Sequence, residues 1–202
     1  PVDGGSTYID HPFFRGEVFT MSSPRSDALV FFGATGDLAY KKIFPTLLAM
    51  VRNDGLDVPI IGVAHSDWDV ERLRKRARDS VLQAAGSAGI DESAFEKLSA
   101  LLQYVDGDYN EADTFARLKK ALGSAKRPLH YLAIPPSLFG VVAKNLQQAD
   151  CADEARIVVE KPFGRDLASA QKLNRILHEV FPEAAIFRID HYLGKEPVQY
   201  LR

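Results

Sequence analysis

Six short apolar runs, separated by stretches with helical spacing, set the tightest limit on what this chain can fold into. The runs are Ala28–Phe32, Pro59–Val63, Leu101–Val105, Leu129–Ala133, Arg156–Glu160 and Ala185–Ile189. Each is too short for an ordinary helix, and most are rich in Val, Ile, Phe or Tyr, which marks buried strands. Between them, Val70, Leu73, Ala77, Val81 and Ala84 recur every three or four residues, as do Phe115, Leu118 and Leu122. The same spacing returns at Leu138, Val141, Val142 and Leu146, and at Leu167, Ala170, Leu173, Leu177 and Val180. A 3.6-residue period gathers each set on one helix face able to cover a sheet. Repeated strand–helix alternation demands right-handed crossovers between parallel strands. The expected fold is therefore α/β: a doubly wound, Rossmann-like, mostly parallel six-stranded sheet with helices on both faces.

Charge narrows the partners. Among 202 residues, 25 Lys+Arg face 27 Asp+Glu, a formal net charge of −2. That excludes a strongly basic nucleic-acid binder and an acidic disordered tail as the main identity. No apolar run reaches the ~18–20 residues of a membrane span, and no secretory signal opens the chain. The single cysteine, Cys151, closes no intrachain disulfide, which fits a reducing, cytoplasmic setting. Residues 1–27 read as a leader or a disordered N-terminal arm. Met21 precedes the polar linker Ser22–Ser26, so residues 1–20 are either a leader or cloning remnant, or a natural arm.

The first strand runs straight into Gly33-Ala34-Thr35-Gly36-Asp37-Leu38-Ala39, followed by helical spacing at Ile43, Leu47 and Met50. Glycine allows a tight strand-to-helix turn and a close backbone approach by a pyrophosphate. The N–H groups and positive dipole end of the following helix then face the phosphates. Ala39 sits where a small residue lets that helix pack on the sheet. Pro45 removes one N–H and is expected to bend or loosen the helix. After the second strand comes Ala64-His65-Ser66, with Asp67 beyond, where an NAD site places a carboxylate. His65 and Ser66 suit a 2′-phosphate; the alternative for His65 is an exposed loop histidine. The basic residues between 72 and 78 read most simply as the solvated side of a helix, the alternative being a dedicated anionic site. Tyr104, Tyr109 and Tyr131 read as packing groups, and His11, His130 and His178 as structural or exposed.

Three later segments are more specific: Ala133-Ile134-Pro135-Pro136, Glu160-Lys161-Pro162-Phe163-Gly164-Arg165-Asp166, and Arg188-Ile189-Asp190-His191-Tyr192-Leu193-Gly194-Lys195-Glu196. With Gly33–Ala39 and Lys41-Lys42, in this order, the chain from residue 28 to 202 closely resembles the glucose-6-phosphate dehydrogenase family. The resemblance implies oxidation of β-D-glucose 6-phosphate to the 6-phospho-lactone with NADP⁺, the entry step of the pentose phosphate pathway. It implies a cofactor site at Gly33, Thr35, Gly36, Asp37, Leu38, Pro135 and Pro136, with His65 and Ser66 nearby. Lys161 falls on the lysine that touches both sugar phosphate and cofactor. His191, Tyr192 and Lys195 fall on the substrate-phosphate cradle, and Asp190 on the carboxylate beside it. No metal is implied. Residues 28–189 form the dinucleotide domain and 190–202 the first helix of a substrate domain. A homo-oligomer is implied for the full-length form.

The match has departures. The family often has arginine where His65 stands, so NAD⁺ use beside NADP⁺ is open, and Pro197 and Tyr200 also differ from commoner residues. The family's catalytic base histidine matches no residue here, so the expectation is nucleotide binding with little or no turnover by this chain alone. Two other classes stand against this reading: a short-chain dehydrogenase or epimerase, and a stand-alone nucleotide-binding module. The first needs a Tyr-x-x-x-Lys pair, and Tyr192 and Lys195 are three apart rather than four.

Overall fold

A computed structural model describes residues 25–53, 55–164 and 166–189. The strands are β1 (Ala28–Phe32), β2 (Ile60–Ala64), β3 (Leu102–Asp106), β4 (Pro128–Leu132), β5 (Arg156–Glu160) and β6 (Ile186–Ile189). They form one sheet in the order β3-β2-β1-β4-β5-β6, and every neighbouring pair is parallel. This is the doubly wound α/β architecture expected, with β2, β3 and β4 each displaced by one residue from the apolar run that announced them. Winding reverses between β1 and β4, which opens a crevice at their carboxyl ends.

Alternation along β1 explains why both faces are covered. Val30 and Phe32, with Val63, pack on Phe115 of α4 (Ala112–Leu122), Val142 of α5 (Phe139–Gln148) and Leu177 of α6 (Leu167–Val180). Phe31 points the other way, to Phe44 of α1 (Phe44–Asn53), Leu73 of α2 (Val70–Ala85) and Leu98 of α3 (Glu92–Leu101). The Phe31 and Phe44 rings meet edge to face at 5.8 Å. Each such side chain stabilises the fold by roughly 1.5–3 kcal/mol on full burial.

Two local features carry physical reasons. Pro45 does loosen its helix: residues Ala39–Ile43 form a π-helical turn, and the Phe44 N–H reaches back to the Ala39 carbonyl. Pro45 has no N–H to offer, so the Tyr40 carbonyl is left over. Ser80 Oγ of α2 donates to it. The second feature, α3, has no counterpart in the sequence reading. Asp91 caps it, accepting from the Ala94 N–H at 3.0 Å, and Leu101 ends it instead of opening β3.

Asp27 ties the start of β1 to the α4–β4 loop, accepting from the N–H groups of Lys126 at 2.9 Å and Arg127 at 2.7 Å. The rest of the expected N-terminal arm, residues 1–24, and the expected substrate-domain helix, residues 190–202, lie outside the described residues. Among the described residues, no helix is long and apolar enough to cross a membrane.

Candidate dinucleotide site

The turn after β1 is built so that only glycine fits its first position. Gly33 has φ +85°, and a Cβ there would sit 2.2 Å from the Ala133 carbonyl oxygen at the end of β4. Its N–H donates to the Val63 carbonyl at 2.9 Å and to the Tyr109 hydroxyl at 2.9 Å. The N–H of Gly36 closes the turn on the Gly33 carbonyl at 3.0 Å. Gly36 and Asp37 are exposed, so the backbone at the head of the next helix is open to an anion. Ala39 is fully buried, as its packing role requires. The Asp37 carboxylate pairs with Lys41 at 3.0 Å, which lowers its pKa.

The loop after β2 meets this turn. Thr35 Oγ1 and Ser66 Oγ are 2.8 Å apart, joining two site residues 31 positions distant in sequence. What holds the loop is a carboxylate that sequence reasoning missed. Asp106, the last residue of β3, accepts from the N–H groups of Ser66 at 2.9 Å and Asp67 at 2.8 Å through Oδ1. The same oxygen takes the Tyr104 hydroxyl at 3.1 Å, which also lies 3.0 Å from the Ala64 carbonyl. Burial opposes ionisation of Asp106, yet these donors outweigh it and its pKa falls. His65 stands apart: its ring is exposed, and Nδ1 lies 3.8 Å from the Asp108 carboxylate.

Tyr104, Tyr109 and Tyr131 therefore do more than pack. Tyr109 is half of the Gly33 clamp, its hydroxyl 3.1 Å from the Val63 carbonyl, and burial pushes its pKa up to about 12. Tyr131 bonds the Glu160 carboxylate, and burial with that neighbour raises its phenol further. Tyr104, two residues before Asp106 at the carboxyl end of β3, is the one signal of this kind that the sequence offers.

Across the winding reversal, a cleft of about 250 Å³ is lined by Leu38, Ala133, Pro135, Pro136, Glu160 and Lys161, among others. Four residues named from sequence thus surround one space at the carboxyl edge. The Lys161–Pro162 bond is cis. The Lys161 N–H donates to the Ile189 carbonyl at 3.3 Å, so the ends of β5 and β6 lie side by side. Asp190, His191, Tyr192 and Lys195 lie outside the described residues.

Residues 30–200 match the family model for the NAD-binding domain of glucose-6-phosphate dehydrogenase. The chain belongs to the glucose-6-phosphate dehydrogenase family. It is 46% identical over 180 residues to glucose-6-phosphate 1-dehydrogenase 1 of Mycobacterium tuberculosis, covering 88% of this chain and 38% of that one. It is 40% identical to the cytoplasmic glucose-6-phosphate 1-dehydrogenase 6 of Arabidopsis thaliana, covering 98% of this chain and 41% of that relative. The crystal structure of the Mycobacterium avium glucose-6-phosphate 1-dehydrogenase superposes with a TM-score of 0.79 at 44% identity, over 88% of this chain and 39% of that one. A glucose-6-phosphate dehydrogenase solved with its substrate gives 0.75 at 35% identity, over 87% and 39%. The chain thus spans about two-fifths of the length of these glucose-6-phosphate dehydrogenases. It carries the family's nicotinamide-dinucleotide domain, and the short-chain dehydrogenase alternative falls away.

Proposed function

We propose that this chain supplies the NADP⁺-binding part, and the adjoining part of the sugar-phosphate site, of a cytoplasmic glucose-6-phosphate dehydrogenase. The reaction is oxidation of β-D-glucose 6-phosphate to 6-phospho-D-glucono-1,5-lactone, at the head of the pentose phosphate pathway. One observation carries the reading. The glycine turn, the Thr35–Ser66 contact and the Lys161 cleft share the carboxyl edge of β2, β1, β4 and β5, where open parallel sheets bind ligands.

The residues fit a dinucleotide. Gly36 bears no Cβ and is exposed, and helix-start N–H groups follow it, so a pyrophosphate reaches backbone donors. Bound NADP⁺ supplies the hydride acceptor. The chain's own residues bind and orient. Gly33, Thr35, Gly36, Asp37 and Leu38 would form the phosphate turn, His65 and Ser66 would stand near the 2′-phosphate, and Pro135 and Pro136 would line the cofactor site. Lys161 places an ammonium between cofactor and sugar phosphate, and His191, Tyr192 and Lys195 add donors for a dianion, with Asp190 beside them. Residues 190–202 begin the substrate domain, and the whole enzyme is a homo-oligomer.

Two measurements on the 202-residue chain test this. Calorimetric titration with NADP⁺ is expected to show one saturable site. Glucose 6-phosphate is expected to protect the Lys161 amine from acylation, read by peptide mass mapping. A chain that binds no dinucleotide and leaves Lys161 equally reactive overturns the proposal.

A further inference from the structure

Helix α2 carries five basic residues within seven positions: Arg72, Arg74, Lys75, Arg76 and Arg78. Three have carboxylate partners. Arg74 lies 2.6 Å from Glu71, Lys75 2.7 Å from Asp79, and Arg78 2.7 Å from Glu92. Arg72 and Arg76 differ: among the described residues, no carboxylate comes within 4.0 Å of either guanidinium. Both lie against one indole instead. The Arg72 guanidinium is 5.0 Å from the Trp68 ring centroid and that of Arg76 is 5.7 Å away. Arg76 also lies 4.8 Å from the Tyr40 ring, so it bridges two aromatic groups. Its Nε is buried with no hydrogen-bond partner among the described residues. Stacking fixes a guanidinium by its face and leaves its N–H edge for an oxyanion.

The place of this pair matters as much as its chemistry. Trp68 follows Ser66 by two residues, and Tyr40 stands in the π turn just beyond Gly36 and Asp37. Arg76 therefore joins the two loops that meet at the Thr35–Ser66 contact, and Asp37 feels its charge. In dinucleotide folds this corner reads the ribose 2′ position, and an arginine there accommodates a 2′-phosphate. His65 is a weak sole candidate, exposed and turned toward the Asp108 carboxylate.

We infer that Arg72 and Arg76, stacked on Trp68, form a phosphate-monoester site that holds the 2′-phosphate of NADP⁺ beside the second-strand loop. The inference rests on the dinucleotide reading above and adds the source of its selectivity. The Asp106 and Asp108 carboxylates stand beside the second-strand loop, and the charges of Arg72 and Arg76 offset their repulsion of a dianion.

The test is calorimetric titration of the wild-type chain, Arg72→Gln, Arg76→Gln and the double variant with NADP⁺, NAD⁺, 2′-AMP and 5′-AMP. Loss of one charge-assisted contact is expected to weaken NADP⁺ and 2′-AMP about tenfold, with a larger loss in the double variant. NAD⁺ and 5′-AMP are expected to shift by less than about threefold, and their retained binding also shows that each variant is folded. Exposed Arg72 provides the variant least able to disturb the fold. Equal losses for NADP⁺ and NAD⁺, or an unchanged ratio, overturn the inference and leave the dinucleotide reading standing. A wild-type chain that binds neither dinucleotide overturns both.

Discussion

Acid should unfold this domain through one histidine. His130 on β4 is fully buried; Nε2 donates to the Cys151 carbonyl at 2.7 Å, and Nδ1 has no partner among the described residues. Burial lowers its pKa from 6.5 to about 4, because an imidazolium there would lose water and gain only one carbonyl. Below pH 6.5 the unfolded chain takes up a proton that the folded chain refuses until about pH 4, so stability is present above 6.5 and drains away as pH falls through that window. Complete transfer across the window is worth about 3 kcal/mol, and the loss already amounts to about 2 kcal/mol at pH 5. Against a typical total of ~5–15 kcal/mol, that is a large share. Carboxylates with lowered pKa, such as Asp27, Asp106 and Asp166, also destabilise the fold on acidification, but at lower pH. The comparison of wild type with His130→Gln therefore isolates the histidine. Urea unfolding followed by far-UV circular dichroism at pH 7, 6 and 5 should show the wild type losing about 2 kcal/mol more than the variant over that range. Parallel pH profiles for the two proteins would refute the reasoning.

Three further outcomes are expected. Gly33→Ala puts a methyl 2.2 Å from the Ala133 carbonyl at a φ of +85°; it should lower Tm by several degrees, with about 1–2 kcal/mol from the backbone angle alone, and abolish NADP⁺ binding by calorimetry. Asp106→Ala strips the acceptor from the Ser66 and Asp67 N–H groups and should cost about 1–3 kcal/mol in urea unfolding, together with weaker NADP⁺ binding; Asp106→Asn, which keeps an oxygen there, should recover much of both. Ser80→Ala leaves the Tyr40 carbonyl without its donor, and a loss of about 1 kcal/mol is expected by the same unfolding measurement.

Much of the fold is legible in the sequence because burial on both faces writes the central strands β1 and β2 as continuous apolar runs, and β4 and β5 nearly so. The helices over β1 reveal themselves by period, and Gly33 by its place at a strand end. Legibility stops where one group satisfies two demands. Leu101 reads equally as strand or helix, and only the Asp91 cap, hidden in a polar stretch, decides for α3. Pro45 announces a disturbed helix, but not that Ser80, 40 residues beyond Tyr40, takes up the orphaned Tyr40 carbonyl. At the site, Thr35 and Ser66 were named separately, and their contact depends on β2 lying next to β1. Asp106 is marked only by Tyr104 two residues before it; its backbone partners, the N–H groups of Ser66 and Asp67, lie one strand earlier in the chain. The basic run of α2 reads as one solvated stripe; that Trp68 gathers Arg72 and Arg76 while Arg74, Lys75 and Arg78 find carboxylates depends on the folded arrangement.

The account turns on where a dinucleotide lies against this sheet. A crystal structure of the chain with NADP⁺ answers that directly. The pyrophosphate should sit about 3 Å from N–H groups of the Gly33–Leu38 turn, with its nicotinamide end toward Pro135, Pro136 and Lys161. A nucleotide seated instead between α5 and α6, in the groove lined by Gly140, Lys144, Lys172 and Ile176, with the β1 turn bare, would contradict it.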